Sequence, residues 1–197
     1  MSSRRETMPI EDAVTVPNGR EMPIVNDRPT STELKMTALA ALHAATDLLH
    51  GTLDRGLVLQ IIRSITTAFS GSRDVAIFEL DTNLDRLVPV SSSGLESDNL
   101  ESIPLGIGLI GRATQEGEMY ERLWEPDAAL VSERRLRACI PLMMDSIPIG
   151  AIAIFTDKMV HKPLDRELFT IFSRHAGSAL YWTATCERAK AALDANW

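Results

Sequence analysis

Three sets of residues in this chain have types and spacings that could do chemistry: a glycine triplet, a cysteine flanked by arginines, and four histidines. The triplet is Gly106-x-Gly108-x-x-Gly111-x-Ala113, inside "IPLGIGLIGRATQEGE" at 103–118. Its spacing is that of a dinucleotide-binding turn, where glycines let a pyrophosphate approach the start of a helix. That chemistry requires a buried parallel strand just before the triplet and an acidic residue closing a second strand about 20 residues later. The preceding "LESDNLESIPL" is polar and poor in β-branched residues. The acids downstream, Glu125 and Asp127, fall in "LWEPDAAL", which has no strand character. Dinucleotide binding is not expected, and the sequence names no cofactor.

The cysteine is Cys139 in "RLRACIPL". Strand alternation puts Leu136, Ala138, Ile140 and Leu142 on one face and Arg137, Cys139 and Pro141 on the other. Cys139 is then either a small core residue or a thiol facing a cavity, with Arg137 the nearest cation in sequence that could lower its pKa. An inert thiol is the expectation. Cys186 is the second of two cysteines, remote and in no C-x-x-C pair, so reduced thiols are expected and neither a zinc site nor a disulfide. Of His43, His50, His161 and His175, the first two lie seven residues apart, about 10 Å along a helix and too far to share a metal. Serines 91–93 precede Gly94 without the G-x-S-x-G elbow of a serine nucleophile. No catalytic residue and no metal ligand is assigned, and the chain is not expected to be an enzyme.

These residues need elements to position them. With 197 residues, 45% hydrophobic and 24% charged, the chain is long enough for one domain with appendages. The formal charge of -7 disfavours nucleic acid, and the basic cluster Arg134, Arg135 and Arg137 reads as a solvated loop flank. No signal peptide and no membrane span is present in the pattern, so a cytoplasmic protein is expected. Residues 1–30 carry four prolines among polar residues and read as a flexible tail. From Ser31 on, "STELKMTALAALHAATDLLHGT" has helical spacing, with Leu34, Ala38, Leu42, Ala45, Leu48 and Leu49 in register, and "LDRGLVLQIIRSITTAF" makes a second helix. The period then shifts to two. Residues 74–81 and 86–94 form one hairpin, 135–144 and 147–155 a second, and a last helix runs from Pro163 or Leu164 to about Ala192, leaving 193–197 as a short tail. Antiparallel hairpins flanked by helices define an α+β fold and leave no room for a parallel βαβ unit.

The succession "VAIFELD", "LVPVSSSGLE", "IPLGIGLIGRATQEGE", "ACIPL", "IGAIAIF" and "KPLDRELFTIFSRHAGSAL" resembles a GAF domain across residues 31 to about 190. The resemblance implies a central antiparallel sheet with the terminal helices on one face and a small-molecule pocket on the other. It implies that the glycine stretch leads into a short helix beside that pocket, with Gly106 and Gly108 at left-handed or close-approach positions, Gly111 packing the helix on the sheet, and Ile107, Leu109 and Ile110 facing a core. The pocket residues it implies are Phe78, Gly108, Arg112, Trp124, Cys139 and Ala153. Arg112, at the start of that helix, could meet an anion where the helix terminus already favours one. Trp124, in the capping segment, either stacks on a ligand or closes the lid. The Asn-Lys pair of cyclic-nucleotide-binding members is missing, no bilin-attachment motif is matched, and the free methionine sulfoxide reductases of the family use several cysteines close in space, where this chain offers one.

The leading expectation is a stand-alone regulatory domain that binds an unidentified small molecule or a signalling protein and acts through another chain, since no output segment follows the last helix. A sulfoxide reductase and a dimeric scaffold with a vestigial pocket are the alternatives. A homodimer is expected through residues 32–50 and 165–190. Leu168, Ile171, Phe172, Ala176, Ala179 and Leu180 already supply the last helix with a core face, which leaves Phe169, Trp182 and Ala189 off it, and Met36 and Leu39 extend the apolar surface of the first helix.

Overall fold

Local chemistry starts and stops the helices at defined residues. The computed structural model describes residues 31–95, 100–122, 133–156 and 163–195. Helix α1 spans Ser31–His50 and buries Leu42, Ala45 and Leu49. Helix α2 spans Arg55–Ser70; the Asp54 carboxylate accepts from the Leu57 N–H at 3.1 Å as its N-cap, and a left-handed Gly71 ends it. Its buried face is Val58, Leu59 and Ile62, while Leu57 stays exposed.

Strands β1 (Val75–Asp81) and β2 (Arg86–Ser93) form the first hairpin, and β5 (Leu136–Met144) and β6 (Ile147–Phe155) the second. Two short strands, β3 (Ile103–Pro104) and β4 (Tyr120–Glu121), flank helix α3 (Gly108–Glu116) in the chain. Helix α4, Arg166–Asp194, is capped by the Asp165 carboxylate on the Leu168 N–H, and it continues through residues 193 and 194, where a tail was expected. The six strands form one sheet in the order β3-β2-β1-β6-β5-β4, every neighbouring pair antiparallel. The two hairpin turns place Asp85 and Asp145 at positive φ, which Asp tolerates better than most residues.

The period of two sorts the strand side chains into two cores. Val75, Ile77, Ala138, Ile140, Leu142, Ile152 and Ile154 pack with α1, α2 and α4. Ala76, Phe78, Cys139, Ala151, Ala153 and Phe155 form a second cluster with Ile110 and Ala113 of α3. Each fully buried Leu, Ile or Phe contributes about 1.5–3 kcal/mol from burial. Leu136 departs from the expected alternation: a register irregularity between Leu136 and Ala138 moves it into the Cys139 cluster.

That irregularity also turns Arg137 inward. Its Nη1 donates to the Ser70 carbonyl at the end of α2, at 2.6 Å, and burial lowers its pKa. The basic cluster is therefore not one solvated flank. Arg135 pairs with Asp74 at 2.7 Å and Arg134 is exposed, but Arg137 is buried and satisfies a helix-terminal carbonyl. On α4, Phe169 is buried against Phe69 and Ile171 is exposed, the reverse of the sequence expectation. A helix facing both a sheet and two other helices buries a wider arc than one sheet face requires.

Candidate functional site

The glycine stretch builds the corner from which α3 departs. The Gly106 N–H donates to the Gly111 carbonyl at 3.0 Å, and the Ile107 N–H to the Pro104 carbonyl at 3.2 Å. Gly108 is buried with φ of +71°, a conformation that costs other residues energy. A Cβ on Gly111 would overlap the Pro104 carbonyl oxygen. Backbone packs closely at this corner, and the glycines have an architectural role there. Ile110 is buried as expected, Leu109 is half-buried, and Ile107 is exposed because the corner turns it outward.

The start of α3 has no side-chain cap from Ile107. Its free N–H groups are met from a distant segment by Glu133, which is fully buried. The Leu109 N–H donates to both carboxylate oxygens, at 2.8 and 2.9 Å, and the Ile110 N–H donates to Oε1 at 2.8 Å. The chain's own Glu133 carboxylate thus occupies part of the helix start where an anion was expected beside Arg112. The helix terminus already holds a carboxylate from the chain itself, which takes the Leu109 and Ile110 N–H groups and competes with any other anion for them. Arg112 is exposed, with its Nε donating to the Gly108 carbonyl at 2.8 Å. It lines an open cavity of about 340 Å³ with Leu109, Glu116, Glu118, Met119 and Tyr120. Burial raises the pKa of Tyr120, so its hydroxyl stays a neutral donor there.

Phe78, Cys139 and Ala153 do come together. All three belong to the second core cluster, Cys139 stands opposite Ala153 in the β5–β6 register, and its Sγ lies 3.9 Å from the Ile110 carbonyl oxygen. These side chains pack against α3 and leave Arg112 on the helix's outer flank. Trp124 lies outside the described residues. Burial pushes the Cys139 thiol up to about 12, so the thiolate that nucleophilic or redox chemistry needs is scarce at neutral pH. Iodoacetamide is therefore expected to label the folded protein once, at exposed Cys186, and a second time only in urea. Two labels on the native protein would mean that Cys139 is reachable and ionised.

Glu133 is the residue that sequence reasoning missed. Nothing local marks it, because its partners lie 23 and 24 residues upstream. The histidines hold a second surprise: His50 Nε2 and His175 Nδ1 lie 3.2 Å apart with the rings edge to face, joining the end of α1 to α4. Burial, and then His50 itself, lowers the pKa of His175. Among the described residues no group of three or more His, Cys, Asp or Glu is placed to hold a metal. Met36, Leu39 and Trp182 stay exposed, at 65%, 50% and 55% of their surface. Among the described residues no helix is long and apolar enough to cross a membrane.

A six-stranded antiparallel sheet with the terminal helices on one face and a glycine-cornered short helix on the other is the GAF-like fold. Solved structures bear this out. A GAF domain from an Acinetobacter phosphoenolpyruvate-protein phosphotransferase superposes with a TM-score of 0.65 at 17% identity, covering 76% of this chain and 95% of that one. The free methionine-R-sulfoxide reductase of Neisseria meningitidis, solved in complex with its substrate, gives 0.63 at 14% identity over 81% and 97%. A GAF domain from the Coxiella burnetii phosphoenolpyruvate-protein phosphotransferase gives 0.59 at 18% identity over 79% and 96%. No family model matches the sequence and no curated protein matches it.

Proposed function

We propose that this chain is a GAF-like regulatory domain that binds a small molecule or a partner protein, performs no chemistry itself, and works as a homodimer whose output passes through another chain. The observation that carries this reading is the state of Cys139: it is packed under α3 among Phe78, Ala153 and Ile110, with a thiol pKa near 12. The reductase reading needs a reactive thiol with a second cysteine near it, and the other cysteine of the chain sits exposed on α4. Residues 31–192 form the working unit in this reading.

The dimer is supported by the surface of the terminal helices. Met36 and Leu39 on α1 and Trp182 on α4 are exposed, and α2, the element that could have covered them within one chain, spends its apolar face on the core. Native mass spectrometry of the purified chain tests both halves of the reading at once. A dimer carrying a co-purifying small molecule supports the sensor, a bare dimer supports a scaffold, and turnover of free methionine sulfoxide lost in Cys139→Ser would establish the reductase instead. Leu39→Glu with Trp182→Glu is expected to cost about 2 kcal/mol or more per buried anchor and to shift a micromolar sample to monomer in sedimentation. A dimer untouched by both changes in a folded protein removes this interface.

A further inference from the structure

A second cleft of about 300 Å³ lies between α3 and α4, sharing Glu116 and Met119 with the open cavity beside Arg112. It lies where the end of α3, the β5–β6 turn and one face of α4 meet. Its floor is Ile140, Met119 and Met143, and its rim holds Arg174 from α4, Glu116 from the last turn of α3 and Asp145 from the hairpin turn. Near the cleft α4 approaches β5 closely, since a Cβ on Gly177 would lie 2.5 Å from the Met143 carbonyl oxygen.

Among the described residues the charges at the rim are unspent. None of the Arg174, Glu116 and Asp145 side chains makes an ion pair or hydrogen bond to another described residue, whereas Arg55, Arg63, Arg86, Arg135 and Arg166 all do. Glu116 also sits at the C-terminal end of α3, where the helix dipole adds negative potential. The cleft thus offers one cation suited to a carboxylate, two carboxylates and a helix end suited to an ammonium, and an apolar floor with two adaptable methionines. Its volume is at the low end for ligand sites, which limits the occupant to a small molecule.

We propose that this cleft binds a free α-amino acid with a medium-sized apolar side chain, its carboxylate on Arg174, its ammonium between Glu116 and Asp145, and its side chain on Met119, Met143 and Ile140. A lone anion would face two carboxylates, and a lone cation would face Arg174; a zwitterion satisfies both. The inference concerns the cleft between α3 and α4, which Cys139 does not line, and stands whether or not a ligand co-purifies at the Cys139 cluster.

Calorimetric titration of the full chain with leucine tests it. Saturable binding is expected, about tenfold to a hundredfold weaker in Arg174→Gln and in Glu116→Gln with Asp145→Asn, the loss of a charge-assisted bond. All three residues are exposed, and Asn keeps the positive φ of position 145, so these variants are expected to fold as the parent does. Leucine amide and 4-methylpentanoate, each lacking one charge, are expected to bind as weakly as the variants. Absence of saturable binding by leucine, methionine, valine and isoleucine overturns the proposal. So does leucine binding of unchanged strength in Arg174→Gln, which would put the amino acid elsewhere.

Discussion

Gly111→Ala is expected to lower the melting temperature by roughly 6–12 °C, the equivalent of about 3 kcal/mol in a chain of this size. The added methyl group would meet backbone on every side: the Pro104 carbonyl oxygen, which it would overlap, and Gly106 N and C at 3.2 and 3.5 Å. No side chain can swing away to relieve it. Relief requires the corner to open, which breaks the Gly106 N–H to Gly111 carbonyl bond and moves Ile110 and Ala113 off Phe78 and Cys139. Gly56→Ala is the control. It sits exposed in the first turn of α2, where the new methyl would meet only one side-chain atom, the capping Asp54 carboxylate oxygen at 3.2 Å, and the expected change stays below about 1 kcal/mol. Equal melting temperatures for Gly111→Ala and the parent protein would refute the architectural role of the triplet.

Glu133→Ala should cost about as much, roughly 2–4 kcal/mol, by leaving the Leu109 and Ile110 N–H groups buried without an acceptor and removing a charge that suits the helix dipole. Glu133→Gln keeps one acceptor oxygen but turns an NH₂ group toward the same donors, so an intermediate loss is expected. A discriminating measurement is the response to inorganic phosphate. In the alanine variant the start of α3 becomes an open anion site, and phosphate is expected to raise its melting temperature more than that of the parent. An alanine variant as stable as the parent would mean that the carboxylate does not hold α3 in place.

How much of this was readable in advance varies by element, and the reasons are physical. The strands of the two main hairpins end within one residue of where the alternation of "DVAIFELD", "RLVPVSSSG", "RLRACIPLMM" and "IPIGAIAIF" put them. A strand buried on two different faces writes its period into neighbouring residues. The two-residue strands β3 and β4 carry no such record. They are strands because the sheet edge pairs with them, Arg86 with Pro104 and Tyr120 with Cys139.

Facing is harder to read than existence. Leu136 follows the alternation on paper but sits with Cys139, since one irregular step in a ladder reverses every side chain before it. Phe169 and Ile171 exchanged roles because α4 packs against a sheet and two helices at once, and no single helical stripe describes that contact. The pocket residues divide the same way. Cys139 and Ala153 are brought together by register within one hairpin, which is local information, whereas Phe78 joins them through the long-range β1–β6 pairing and the outward placement of Arg112 depends on how α3 is anchored.

The amino-acid sequence by itself determined the class of fold, the order of the three long helices and the two main hairpins, whose antiparallel pairing excludes a dinucleotide-binding unit, and the corner glycines. These follow from hydrophobic period and backbone sterics, which act over a few residues. Tertiary structure alone decided that Glu133 would fill the anion site at α3, that Arg137 would be buried against Ser70, that His50 would meet His175, and that Arg174, Glu116 and Asp145 would face one cleft. Each of these joins polar groups far apart in the chain. Side-chain charges and hydrogen bonds gain their strength from burial and exact placement, and neither exists until the sheet has closed and the helices have docked on it.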